Sequence, residues 1–437
     1  MSVSMKRPTL GQRYAVLGLA LPLVLLGGCS SVNSDTSAAT EPTPDRESGG
    51  EASEAAATTP RLLLTFDGGI EVLDATTLET ISTLELDGFN RINSAGDGQH
   101  VLVSTAGAFQ VLDAGTWAEP HGDHSHYYTA DPALTNAAFG AEKPGHVVVH
   151  AGRTALFDDG TGNVVVYDSG TVADGDREVR EYTTPSAHHG VAVELADGRL
   201  VVSEGTEEAR TGIRVLDANN AEIARSDECP GVHGEAMAAD ETVVIGCEDG
   251  VLIYQEATIT KVTSPDPYGR IGNQAGSEAS PVNLGDYKTD PDAELERPTR
   301  VSLIDTRTAQ LSLVDLPSSY SFRSLGRGAG GEALVLGTDG QLHVIDPEAK
   351  TLVRSIPVIE AWEEPLEWQA PRPALFVADG TAYITDPSAK TLYAVDIETG
   401  EIWNSVELAE TPNEITGVSG AAAAVSDDEH GEGEHTD

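Results

Sequence analysis

The chain has 437 residues, and its 71 acidic and 26 basic side chains give a formal net charge of −45. That balance argues against a nucleic-acid binder, which needs Lys and Arg to neutralise phosphates, and against adhesion to an anionic membrane by charge alone. Hydrophobic residues make up 39%, enough for one large core or two modest ones.

At the start, Lys6, Arg7 and Arg13 precede an apolar run from Tyr14 to Leu26, closed by Leu26-Gly27-Gly28-Cys29. A basic segment, a short apolar segment and small residues before a cleavage point describe a secretory signal over residues 1–28. The Leu-Gly-Gly-Cys ending resembles a bacterial lipobox, which implies cleavage before Cys29 and lipidation of its thiol. The expected location is outside the cytoplasm, with a lipid anchor as the only attachment to the membrane. Residues 30–60 are mostly Ser, Thr, Ala, Glu, Gly and Pro with almost no large apolar side chain, in a segment 29–60 that begins at Cys29. Such a stretch cannot offset its ordering entropy by burial and reads as a flexible tether.

The densest chemistry follows at His121-Gly122-Asp123-His124-Ser125-His126-Tyr127-Tyr128. Metal binding needs neutral imidazoles and a carboxylate within about 2.0–2.2 Å of a zinc-like ion. If the stretch is extended, His124 and His126 share a face by the two-residue period, with His121 beside the Gly122 turn and Asp123 able to ligate or to orient a ring. The competing reading is a solvated His-rich loop; three His at this spacing favour the metal site.

From Arg61 to Ala424 the chain alternates short apolar runs with turns, and helical periodicity is almost absent. Asp67-Gly68, Asp97-Gly98, Asp197-Gly198, Asp249-Gly250, Asp339-Gly340 and Asp379-Gly380 each predict a hairpin, with type I′ geometry expected. An apolar run with an acidic or amide ending recurs at Asp74, Asp113, Asp168, Asp217, Gln255, Asp315, Asp346 and Asp396. These endings lie roughly 31–60 residues apart, near the length of a four-stranded blade. The predicted fold is an all-β propeller of eight blades, or seven if one run is an extra strand. The strands near Leu62 to Phe66 are expected to share a blade with those near Ile415 to Val418. Residues 263–298, rich in Pro and Gly, read as a long surface loop that covers one end of the channel.

Two further His motifs are in phase with the repeat. His188-His189-Gly190 and Val232-His233-Gly234 each precede a predicted first strand, the one that lines the channel of a propeller. His188, His189 and His233 are therefore candidate ligands, and one channel mouth is expected to gather them with His121, Asp123, His124 and His126. For His189 and His233 a hydrogen bond to buried backbone is the rival role. His146, His150, His100 and His343 read as structural strand residues. Cys229 and Cys247 form an even pair for an oxidising compartment, so a disulfide worth about 2–4 kcal/mol is expected rather than Cys ligation, which lacks CxxC spacing. The acidic tail, residues 425–437, carries His430 and His435, suited at most to weak metal capture. The imidazole-rich set suits zinc over calcium or magnesium.

The His121–Tyr128 stretch and the His188-His189-Gly190 strand start together resemble the AztD-type zinc metallochaperones of bacteria. Gly285-Asp286-Tyr287-Lys288-Thr289-Asp290-Pro291-Asp292, Pro298-Thr299-Arg300 and Leu303-Ile304-Asp305 extend the resemblance. It implies zinc storage outside the cytoplasm and handover to the solute-binding protein of a zinc ABC importer. By motif it supports His121, Asp123, His124, His126 and His189 as ligands. It also implies a His-rich mobile segment near the N-terminus, which residues 30–60 lack. The functional expectation is a non-catalytic, monomeric zinc carrier. The alternatives are a metal-dependent propeller hydrolase or oxidoreductase, and a propeller for protein interaction in which the His are incidental.

Overall fold

The computed structural model describes residues 52–422. Cys29 and the tail with His430 and His435 lie outside them. The described residues form eight four-stranded antiparallel sheets and one three-stranded sheet, so the architecture is an eight-bladed β-propeller. Successive blades start with the inner strands Ile415–Val418, Arg91–Ser94, Pro144–His150, Ala192–Glu194, Glu235–Ala238, Gln274–Ala275, Tyr320–Arg327 and Leu375–Ala378. The first blade joins the two ends of the ring: Arg61 to Leu64 pair with Val418 to Ile415, as the sequence predicts.

Apolar residues decide which face of each strand is hidden. Leu62, Leu64 and Leu73 of the first blade pack with Tyr383, Leu392 and Ala394 of the eighth, and similar clusters fill the other blade junctions. Outer strands alternate, as Thr80–Glu85 does, because only one of their faces meets a neighbouring blade. The acidic residue that ends the recurrent run has a local task. Asp74 accepts N–H bonds from Thr76 and Thr77, Asp346 from Glu348 and Ala349, and Asp217 from Asn219 and Ala221. A carboxylate there satisfies turn donors that no strand reaches.

Four expectations need correction. The stretch 263–298 is not one loop: it holds the strands Gln274–Ala275 and Val282–Asp286, and Tyr287 is buried. The run ending at Asp315 is consequently the outer strand of the sixth blade, and the third strand is Arg300–Asp305. The six Asp-Gly pairs all lie at hairpins, but only Asp379-Gly380 has positive φ at both residues (46° and 77°); elsewhere only the glycine does. Finally, Ser53–Ala55, read as tether, is a strand: it pairs with Tyr127 to Thr129.

Cys229 and Cys247 form a disulfide, with Cα atoms 5.0 Å apart. It ties the segment entering the fifth blade, with His233 at its end, to the second strand of that blade. Replacing both cysteines by Ser should lower unfolding stability by about 2–4 kcal/mol, and reductant should then no longer change the denaturant midpoint.

Candidate metal centre

Strand direction decides which loops can meet. Each inner strand runs away from one end of the propeller, called here the entry end, and each second strand returns to it. Loops that precede inner strands, and loops between second and third strands, therefore share the entry end. Loops after third strands emerge at the other.

Three His from three consecutive blades converge at the entry end. His146 is the third residue of its inner strand; His189 and His233 stand just before theirs. Their ring centroids are 5.0–5.7 Å apart, and one potential ligand atom from each lies within 4.8 Å of the others. His189 Nδ1 donates to Asp159 Oδ2 at 2.5 Å, and His233 Nδ1 donates to the Gly272 carbonyl at 2.5 Å. His146 Nδ1 lies 3.2 Å from Glu235 Oε2. Since a carbonyl can only accept, His233 carries its proton on Nδ1 and its Nε2 is bare. The Asp159 carboxylate likewise places a proton on His189 Nδ1, which leaves Nε2 as the nitrogen of that ring that can ligate. The Nε2 atoms of the two rings face each other at 3.2 Å. Two lone pairs at that distance are bridged by a proton on one nitrogen or by a metal ion, and two nitrogens on one tetrahedral zinc are about 3.3 Å apart.

The surroundings complete the arrangement. The peptide between Gly272 and Asn273 accepts from His233 on its carbonyl side and donates from Asn273 N to Asp286 Oδ1 at 3.0 Å. Asp286 also accepts from Gly272 N at 2.7 Å. Asp286 thus acts on His233 through one peptide unit, while Asp159 and Glu235 act directly on the other two rings. Carboxylates behind ligating imidazoles fix orientation and raise basicity. Burial, followed by the neighbouring His146 and His189, holds His233 well below the ordinary imidazole value, which keeps it neutral for metal. Beside the trio a cavity of about 190 Å³ is lined by Arg91, Asn93, His146, Glu235 and Asn273, leaving room for a fourth ligand.

The second cluster lies elsewhere. Thr116–His121 and His124–Thr129 form a hairpin inserted between the third and outer strands of the second blade, with His121 opposite His124. A two-residue turn needs positive φ, which Gly122 supplies at 62°. His121 Nδ1 lies 3.2 Å from His126 Nε2, and His126 Nδ1 donates to Glu54 of the added strand at 3.0 Å. Asp123 Oδ1 approaches His124 Nδ1 at 3.2 Å, so it is placed beside a ring nitrogen and is not a member of the three-His group. This cluster is exposed. Because it follows a third strand, it stands at the end opposite the trio, and the expected convergence of all the His on one mouth does not occur.

His188 joins neither cluster. Its ring is buried against Phe157, with Nδ1 on the Ser186 carbonyl and Nε2 on Ser203 Oγ, both at 2.9 Å. Next to His189 in sequence, it turns into the core instead, held there by its two hydrogen bonds. Conversely, His146 was assigned a structural role from sequence and stands in the trio. The missed signal was its position: two residues into an inner strand, it is level with residues just before the strand starts of the next two blades. His150, His100 and His343 are in neither group. His150 bonds Glu241 at 2.9 Å, His100 bonds Asp97 at 2.5 Å and His343 bonds Ser355 at 2.8 Å.

No protein-family model matches the chain. A curated relative, the zinc chaperone AztD of Citrobacter koseri, is 24% identical over 380 residues, covering 84% of this chain and 88% of that protein. The chain resembles AztD. The crystal structure of Citrobacter koseri AztD superposes with a TM-score of 0.72 at 24% identity, over 83% of this chain and 98% of that one. The structure of apo AztD gives 0.71 at 23% identity, with the same coverage. The dihydro-heme d1 dehydrogenase NirN superposes with a TM-score of 0.52 at 11% identity, over 82% of this chain and 74% of its own. These superpositions speak to fold alone, and a fold shared by AztD and a dehydrogenase does not choose between carrier and enzyme.

Two outcomes are expected. Asp286→Asn and Asp159→Asn should each weaken metal binding at the trio about 10–100-fold, read by competitive titration, while a control His188→Ala lowers thermal stability without changing the metal affinity. His233, His188 and His343 all have values lowered by burial. The unfolded chain then takes up protons that the folded apo protein refuses. Stability should be fully present above about pH 6.5 and fall as pH drops below it; unfolding midpoints at pH 7.5 and 5.5 check the sign.

Proposed function

We propose that this protein is a zinc metallochaperone that works outside the cytoplasm, anchored through lipid at Cys29. It stores zinc on His sites and hands it to the solute-binding protein of a zinc ABC importer. The observation that carries the reading is the facing pair of imidazole nitrogens, His189 Nε2 and His233 Nε2, held 3.2 Å apart by the partners of their Nδ1 atoms, with His146 beside them. Rings oriented in this way can take a metal ion with little rearrangement. The similarity to a protein named as a zinc chaperone supports the choice of ion.

A carrier must release as well as bind. Three protein ligands with an adjoining cavity leave a position for an incoming donor, so zinc can pass by ligand exchange without first becoming free. The exposed hairpin, with His124 and His126 side chains 57% and 37% accessible, is the shallower and more exchangeable site. The Asp159 carboxylate accepts from His189 Nδ1 and from Gly190 N, so it serves to orient a ring.

Metal content of the protein after dialysis, measured by mass spectrometry, tests this. Roughly two zinc ions per chain are expected if each three-His group binds one, falling to about one in His189→Ala/His233→Ala and in His124→Ala/His126→Ala. Zinc should reach the metal-free solute-binding protein faster than it reaches a dilute chelator. A wild-type protein without retained zinc, or transfer no faster than free dissociation, would exclude the carrier.

A further inference from the structure

The entry end carries, across the channel mouth from the trio, a feature that zinc binding does not use. The segment before the eighth blade, residues 358–374, exposes Leu366 (58%) and Trp368 (52%), and Phe322 at the start of the seventh inner strand is 36% exposed. Phe89, from the loop entering the second blade, packs edge-on against Trp368 with centroids 5.1 Å apart. By the strand-direction rule all four belong to the same end as His146, His189 and His233. The patch is joined to the site by one contact: Asn273 Nδ2 donates to the Phe322 carbonyl at 2.8 Å, and Asn273 is the neighbour of Gly272, which holds His233.

This apolar surface is rigid from beneath. Arg372 lies over the Phe322 ring at 4.7 Å, and its fully buried side chain bonds Glu364 at 2.7 Å and the Glu367 carbonyl at 2.7 Å. Arg297 reaches the Glu364 carbonyl at 2.9 Å. A buried ion pair that braces an exposed Trp and Leu favours binding, because little side-chain freedom is left to lose. Aromatic anchors in a preformed setting are also where interface energy concentrates. The margin is acidic: Asp87, Glu360, Glu363 and Glu367 are all exposed.

We propose that Phe89, Phe322, Leu366 and Trp368 form the docking surface for the metal-accepting protein, whose matching face is apolar at its centre and basic at its margin. This rests on the carrier reading above. The placement supports it, since an acceptor seated on the patch faces the mouth from which the trio's ion must leave. Charge supports it too: an acidic rim on a chain of net charge −45 repels a second copy of itself. The chain's own acidic tail is disfavoured for the same reason, and it follows Ile415–Val418, an inner strand that ends at the opposite face.

The test uses the zinc-loaded full chain, with the metal-free solute-binding protein of the zinc importer as acceptor and a small chelator as control. Leu366→Ser/Trp368→Ser should keep wild-type zinc content, melting temperature and release to chelator, yet transfer to the acceptor at least tenfold more slowly. Glu363→Lys/Glu367→Lys should slow transfer and reduce its dependence on salt. Wild-type transfer rates in the Leu366/Trp368 variant would overturn the docking surface while leaving the carrier intact. Absence of zinc from wild type and variant alike would overturn the carrier and the docking surface with it. A wild-type dimer that the variant abolishes would assign the patch to self-association and overturn the proposal.

Discussion

Closure of the ring is the constraint on which everything else depends. Arg61 to Leu64 pair with Val418 to Ile415, so strands some 350 residues apart in sequence complete one blade and leave the ring with no inner gap. Once the ring is closed, the inner strands of all eight blades must run the same way along one axis. Loops are thereby sorted by rank within the blade, independent of their sequence, into two opposite ends. The trio is possible only because consecutive blades deliver equivalent positions to one end of one channel.

The same geometry separates the two His groups. The hairpin that carries His121, His124 and His126 follows a third strand and is committed to the far end. An ion on the hairpin and an ion on the trio therefore share no ligands. The two groups also differ in setting: the trio is half-buried and each ring has a fixed partner, whereas the hairpin stands in solvent with Glu54 of the added strand as support. A deep, oriented site favours retention, and a shallow one favours exchange.

The trio also shows how carboxylates can be gathered behind a group of imidazoles. Asp159 and Glu235 meet ring nitrogens directly, and Asp286 reaches its ring through the Gly272–Asn273 peptide. Burial raises the Asp286 carboxyl above its ordinary value, opposed by Lys288 and the two peptide N–H donors. Three carboxylates behind three imidazoles set the negative potential that a divalent cation requires, while the acidic exterior concentrates cations near the mouth.

How much of this was legible in the chain follows from the range of each signal. Two-residue alternation, Asp-Gly turns and the recurrent acidic ending are local, so sequence alone determined the strands, the propeller and the His hairpin, whose partners lie within a few residues of each other. It also marked His189 and His233, because repeat phase is itself a sequence property. Residues 263–298 hid two strands because Pro and Gly there outweigh short apolar runs whose only partners are distant. Tertiary structure alone decided that His146 joins the trio, that His188 turns into the core, and that Asp286 supports His233. Those outcomes depend on which residues of separate blades reach the same height in the channel. That height is set by ring closure and strand stagger, which no local pattern encodes.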